Sequence, residues 1–341
     1  MGMRSPRGRD RSRRNRPPRA GARPLSPKTI RPPTVRPVHT YSIVAADRQA
    51  GEIGVAVQSH WFSVGSTVPW AEAGVGAVAT QAFVNLSFGP RGLALLRQGS
   101  SPREAIDSMI ATDPAAQMRQ LAIIDTRGRA AVHTGKGCIP EAGHIVGETF
   151  AVQANMMVSP KVWPAMAEAF RRGSAALAER MLGALCAAQE AGGDLRGQQS
   201  AALLVVRSES SGRSWEDRLI DLRVEDHANP LKELGRLLRV FRAYGHMNRG
   251  DEALEARDSE GALREYGEAL RLYPESEEIR FWSAISRLNT GEEERALSDL
   301  SELFRSHPNW RTLLERVHHS RLVRIEETLY RRLAAPKESR P

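Results

Sequence analysis

Polar side chains gather at what read as the ends of apolar strands. Gln-Ser-His-Trp-Phe-Ser-Val-Gly occupies residues 58–65, Thr-Gln-Ala-Phe-Val-Asn-Leu-Ser-Phe-Gly-Pro 80–90, Gln-Ala-Asn 153–155 and Gly-Gly-Asp-Leu-Arg-Gly-Gln-Gln-Ser 192–200. Strand ends and turns are where a rigid sheet presents chemistry-bearing groups. These four stretches are therefore where a functional site is expected. The familiar local signatures are missing: no phosphate-binding G-x-x-x-x-G-K-[ST], no zinc-binding H-E-x-x-H and no G-x-S-x-G nucleophile turn. His133, Cys138 and His144 do not have the close pairs of a four-ligand zinc site, and the Gly and Pro between them suit a plain loop, so no metal or other cofactor is expected. Gly74–Ala79 matches part of a dinucleotide fingerprint, but Thr80–Phe83 stays β-like where a helix would have to open.

The elements that must position these residues follow from periodicity and turn chemistry. Strands are predicted at Thr40–Asp47, Ile53–Gln58, Val64–Val68 and Gly76–Ala82. Helices follow at Pro90–Gln98 and from Ser101, where Ser101-Pro-Arg-Glu104 has capping-box spacing. Strands return at Gln120–Asp125, Ala130–His133 and Phe150–Asn155, helices at Pro160–Arg171 and Ala175–Ala191, and strands at Gln199–Arg207 and Arg218–Val224. Hairpins interrupted by helix pairs do not suit a parallel βαβ sheet. They suit an α+β fold, a four-layer αββα sandwich over residues 39–226.

Composition bounds the rest. Apolar residues make up 41% of 341 residues, enough for two cores, and no apolar run approaches the roughly 18 residues that span a bilayer. Two cysteines fit a reducing compartment, and the expected location is cytoplasmic. The charge of +9 is unevenly placed: residues 1–39 hold twelve basic residues against Asp10, and the remainder 37 against 39 acids. Residues 1–38, with eight of the twenty prolines, read as a disordered Arg/Pro-rich tail. Three readings of it stand: an arm binding nucleic acid through phosphates, a solvated extension without function, or a start codon assigned too far upstream. No nucleic-acid partner is expected of the folded part.

Residues 227–335 read as a tetratricopeptide-like helical domain, and the region after Gly250 repeats itself. Ala262, Leu263, Tyr266, Leu270 and Pro274 recur as Ala296, Leu297, Leu300, Phe304 and Pro308, each at an offset of 34, the tetratricopeptide period. Helices at Leu231–Tyr244 and Arg311–Leu333 are expected to cap the two repeats. A peptide-binding surface and a packing or dimerisation appendage are both open readings, and a homo-oligomer is expected.

The run Thr-Tyr-Ser-Ile-Val-Ala-Ala-Asp from Thr40, the 58–65 loop, Ala-Gly-Val-Gly-Ala-Val-Ala-Thr-Gln ending at Gln81, and Gly-Gly-Asp-x-Arg-Gly-x-Gln-Ser-Ala-Ala-Leu-Leu-Val from Gly192 resemble the bacterial domain-of-unknown-function family 1028. That family is similar in fold to Ntn hydrolases, and some members carry helical C-terminal extensions. The resemblance implies that Thr40, heading the first strand, is a nucleophile whose own α-amine is the general base. Asn155 and Asn85 become candidate oxyanion donors. Asp194 and Arg196 would orient the amine or bind a substrate carboxylate, and His60 and Gln81 would contact substrate. Thr40 follows 39 residues, so the scheme requires cleavage between His39 and Thr40. Each residue also has a plainer reading: an edge-strand threonine, a turn-tying aspartate, backbone-bonding asparagines. The expected function is an Ntn-type amidohydrolase on a small amide or peptide-like bond. The alternative is a non-catalytic ligand-binding or assembly protein whose repeats recruit a peptide.

Overall fold

The structure, a computed structural model, describes residues 40–320 and 325–334. The expected tail at 1–38 lies outside the described residues, as does His39. Among the described residues ten strands form two antiparallel sheets. One has six strands: β1 (Thr40–Asp47), β2 (Glu52–Ser59), β7 (Gly143–Val146), β8 (Phe150–Ala154), β9 (Ser200–Arg207) and β10 (Arg218–Val224), in the order β10-β9-β2-β1-β8-β7. The other runs β3 (Pro69–Glu72), β4 (Gly76–Ala82), β5 (Arg119–Asp125), β6 (Ala130–Thr134). The sheets pack face to face through β1, β2 and β8 against β4 and β5.

Each sheet buries its outer face under helices. Tyr41, Ile43, Ala56, Val152 and Leu203 meet α3 (Val162–Arg172) and α4 (Leu177–Glu190). Val78, Leu121, Ile123 and Ala131 meet α1 (Phe88–Arg97) and α2 (Pro102–Ala111). Strands covered on both sides need no polar face, which is why β9 reads as a continuous apolar run. The predicted cap of α2 forms in full: Ser101 Oγ accepts from the Glu104 N–H, and the Glu104 carboxylate accepts from the Ser101 N–H.

Two expected elements differ. Val64–Val68 is not a strand; residues 64–66 make a 3-10 turn, because Ser63 sits at φ 54° and the Val64 N–H is taken by the Ser200 hydroxyl at 3.0 Å. The strand that follows begins instead at Pro69. The unexpected β7 is a four-residue edge strand of Gly-His-Ile-Val, too short and too polar to show periodicity. A four-residue helix, α5 (Ser214–Asp217), tips the hairpin between β9 and β10.

The C-terminal region is helical: α6 (Pro230–Glu255), α7 (Ser259–Leu272), α8 (Glu277–Asn289), α9 (Glu293–Ser306), α10 (Asn309–His319) and α11 (Glu327–Ala334). Of the repeated residues, Ala262, Tyr266, Ala296, Leu297, Leu300 and Phe304 are buried, while Leu263 and Leu270 are half-buried and Pro274 and Pro308 are exposed. The expected capping helix at 231–244 runs on to Glu255, and the one at 311–333 is two helices with residues 321–324 outside the described residues.

The first half of α6 does not belong to the repeats. Leu231, Leu234 and Leu238 join the core under the six-stranded sheet, whereas Ala243 and Met247 join the core with α7. One uninterrupted helix therefore completes the sandwich and starts the helical region. A fully buried leucine is worth about 1.5–3 kcal/mol, so the three are worth roughly 5–9 kcal/mol, comparable with the whole stability of a domain. Residues 40–226 alone should then fail to give a cooperative urea transition, while residues 40–255 give one. Equal midpoints for the two fragments would refute that role for α6.

Candidate functional site

β1 lies between β2 and β8 at the centre of its sheet, so Thr40 is not an edge-strand residue. Alternate side chains of β1 face opposite ways. Tyr41, Ile43 and Ala45 meet the helices, so Thr40 and Ser42 face the other sheet. At that level both sheets replace apolar residues with amides and hydroxyls. Ser42 Oγ donates to Gln81 Oε1 at 2.6 Å. Gln81 Nε2 donates to the Thr40 carbonyl at 3.0 Å and to Gln120 Oε1 at 2.7 Å. Gln120 Nε2 donates to the Ala154 carbonyl at 2.9 Å and to Thr134 Oγ1 at 3.0 Å. Asn155 Nδ2 reaches Gln120 Oε1 at 3.0 Å and the Thr40 carbonyl at 3.4 Å. Gln153 Nε2 donates to the Ala79 carbonyl and to Ser42 Oγ, at 3.0 and 3.2 Å. Thr40 Oγ1 donates to Ser59 Oγ at 3.1 Å. Thr40, Ser42, Ser59, Gln81, Gln120, Gln153 and Asn155 are all fully buried.

The residues that follow two of these amides are strained. Ala82 sits at φ 66° and Met156 at φ 56°, left-handed values that cost an ordinary residue about 1–2 kcal/mol. Each turns its chain out of the sheet one step after Gln81 or Asn155. Strain of this kind persists only where surrounding contacts over-determine it, and it gathers at functional sites.

A second group stands at the same end of the sandwich, where the chain leaves α4. Gly192 and Gly193, at φ 115° and 63°, let the helix stop and turn at once into Asp194. The Asp194 side chain is wholly buried and bidentate with Arg196, at 3.1 Å from Nε and 2.8 Å from Nη2. It also accepts the His60 N–H at 3.3 Å. Main-chain bonds from Val158 to Gly193 and from Leu195 to Met156 tie this loop to the exit from Asn155. Nearby, Tyr41 Oη donates to Gln189 Oε1 at 3.0 Å. Burial pushes the Tyr41 phenol well above its ordinary range, with Cys186 and Asp194 adding to the shift.

The sequence-derived candidates thus divide. Thr40, Gln81 and Asn155 meet between the sheets, and His60, Asp194 and Arg196 meet at the end of α4. Asn85 joins neither: its Oδ1 accepts from the N–H and hydroxyl of Ser87, tying the turn before α1. His133, Cys138 and His144 point to separate partners, the Ala116 carbonyl, the Arg119 carbonyl and Thr134 Oγ1. Among the described residues no group of three or more His, Cys, Asp or Glu could hold a metal. Sequence reasoning missed Ser42, Ser59, Gln120 and Gln153. Their signal was present as an amide or hydroxyl near one end of each mostly apolar strand.

The fold and site define a chain of two stacked antiparallel sheets with a polar layer at one end. It belongs to DUF1028, described as a family of unknown function, whose model matches residues 40–234 and begins at Thr40. The chain is similar to the crystal structure of protein SPO2555 from Silicibacter pomeroyi, also of DUF1028. The identity is 31% and the TM-score 0.53, over 59% of this chain and 88% of that one. No curated protein matches it.

Gln120 is the junction of the inter-sheet layer, accepting from two amides and donating to three oxygens, the Gly143 carbonyl among them. Gln120→Leu orphans these buried partners at about 1–3 kcal/mol each, and the net loss is set at roughly 3–5 kcal/mol. A urea titration of the two full-length chains reads this. A loss below about 1 kcal/mol would mean that the layer is wet or slack.

Proposed function

We propose that this chain is an Ntn-type amidohydrolase with Thr40 as nucleophile, acting on a small amide or peptide-like bond. The observation that carries the reading is the place of Thr40. It heads the central strand of the larger sheet with its hydroxyl turned into the inter-sheet layer, and Asn155 and Gln81 amides stand on its carbonyl. The start of the family match at Thr40 supports the same residue as the first of the domain. In this reading the two sheets with their outer helix pairs are the Ntn αββα sandwich. The helices offset by 34 residues are tetratricopeptide-type repeats that recruit a peptide partner.

Chemically, cleavage between His39 and Thr40 frees the α-amine. The amine accepts the Thr40 hydroxyl proton as Oγ1 adds to the substrate carbonyl, then delivers that proton to the departing nitrogen. Water repeats the sequence on the resulting ester. Asn155, the amide donor that reaches Thr40 across the β1–β8 edge, is assigned to the oxyanion. Gln81 holds the Thr40 main chain. Asp194, already bound by Arg196 and the His60 N–H, fixes the loop at the mouth rather than meeting the substrate amide directly.

The deciding measurement is the intact mass and N-terminal sequence of the protein from its native host, with hydrolysis assayed over a panel of amides. A chain beginning at Thr40, with Thr40→Ala lowering turnover by at least about 1,000-fold and Thr40→Ser keeping part of it, supports the enzyme. A chain that retains His39 sinks the free-amine mechanism. It would leave the amide layer as a structural clamp and the chain as a binding protein.

A further inference from the structure

Gln58 lies near the end of β2, opposite Tyr41 on β1 and Ala201 on β9. Tyr41 and Ala201 belong to the core under the helices, so Gln58 faces that side and not the inter-sheet layer. It is fully buried, yet neither Nε2 nor Oε1 has a hydrogen-bond partner among the described residues. Two residues on, His60 Nδ1 is also buried and also without a partner there. His60 follows the last residue of β2, and Asp194 lies near both positions: it accepts the His60 N–H, and its charge acts on Tyr41, the residue opposite Gln58. The His60 N–H is held by Asp194, and a Cβ at Gly197 would stand 3.9 Å from His60 Nδ1.

An orphaned buried carboxamide loses more than a well-made hydrogen bond returns, so native folds rarely leave one. The usual remedy is a buried water with about three partners. The surroundings favour a neutral occupant. The nearby Asp194 carboxylate is engaged by Arg196 and the His60 N–H, and an anion would have to lie beside it. Tyr41 Oη is spent on Gln189. What remains is one amide donor, one amide acceptor and one imidazole nitrogen, a set that a small molecule able both to donate and to accept satisfies.

We propose that Gln58 and His60 form a closed, uncharged site for one water molecule, which bridges the Gln58 carboxamide to His60 Nδ1. This site does not depend on the amidohydrolase reading. It is distinct from the inter-sheet layer and lies on the opposite face of the same strand end. The water orients the imidazole of the residue that follows Ser59, the hydroxyl partner of Thr40.

A crystal structure of the full-length protein at about 1.5 Å tests this directly. The expected result is a single-atom peak about 2.7–3.2 Å from both a Gln58 amide atom and His60 Nδ1. The peak should be absent from Gln58→Met crystals of the same form. If that variant does not fold, the wild-type map decides alone. Two results overturn the proposal: a Gln58 amide turned onto a protein partner with no peak, or connected density of several atoms, which would make the site a pocket for a captured amide-like ligand.

Discussion

The fold turns on a single constraint: five carboxamide and hydroxyl side chains are sealed between two sheets, bonded to one another and to buried main-chain carbonyls. Apolar faces set how closely sheets pack but say little about how they slide. Ser42 on β1, Gln81 on β4, Gln120 on β5, and Gln153 and Asn155 at the end of β8 instead form directed bonds across the gap. Each bond adds only about 0.5–1.5 kcal/mol net, whereas orphaning a partner costs about 1–3 kcal/mol. The layer is therefore a stronger argument for one alignment of the sheets than for stability. That alignment sets the Gln81 amide on the Thr40 carbonyl, while the pairing of β1 with β2 and β8 brings Ser59 to the Thr40 hydroxyl and Asn155 to the same carbonyl.

The same comparison of magnitudes settles how the helical region is attached. Arg242 on α6 makes a bidentate pair with Glu179 on α4, at 2.9 and 3.0 Å, with both side chains about a third exposed. A pair so exposed is worth about 0–1 kcal/mol. Leu231, Leu234 and Leu238 on the same helix bury far more, so apolar packing holds α6 to the sandwich and the ion pair fixes its rotation. Because α6 continues without a break into the contacts with α7, the helical region is carried on the sandwich by a single rigid element.

Legibility in the sequence followed the physics of each element. Long strands with helices over them, the Ser101–Glu104 cap and the offset of 34 were readable because each rests on local periodicity or one short-range bond. The turn at residues 64–66 was not, since its apolar residues look like a strand and only the Ser200 hydroxyl, 136 residues away, captures Val64. In the site, Gln81 and Asn155 stand in stretches readable as strand ends, whereas Thr40 came only from the family resemblance, and that the three meet needed the sheet pairing. Asn85 looked equivalent by type and proved to be tied to Ser87 two residues on. Gln58 and Gln81 are both glutamines near strand ends. Only the pairing of β2 with β1 reveals that they face opposite sides of the sheet.

That opposition gives the strand end its character. Ser59 turns toward Thr40 while Gln58 turns toward the helices, so one short stretch of β2 serves two buried polar layers at once. Neither layer could be shifted without the other, because a one-residue slip of β2 exchanges every side chain between faces. The left-handed turns at Ala82 and Met156 then stop β4 and β8 level with the head of β1. No strand runs past Thr40 on either sheet among the described residues; what lies beyond is loop. At Thr40 the β1–β8 ladder is already closed, since its carbonyl accepts the Asn155 N–H at 3.1 Å alongside the side-chain amides of Gln81 and Asn155.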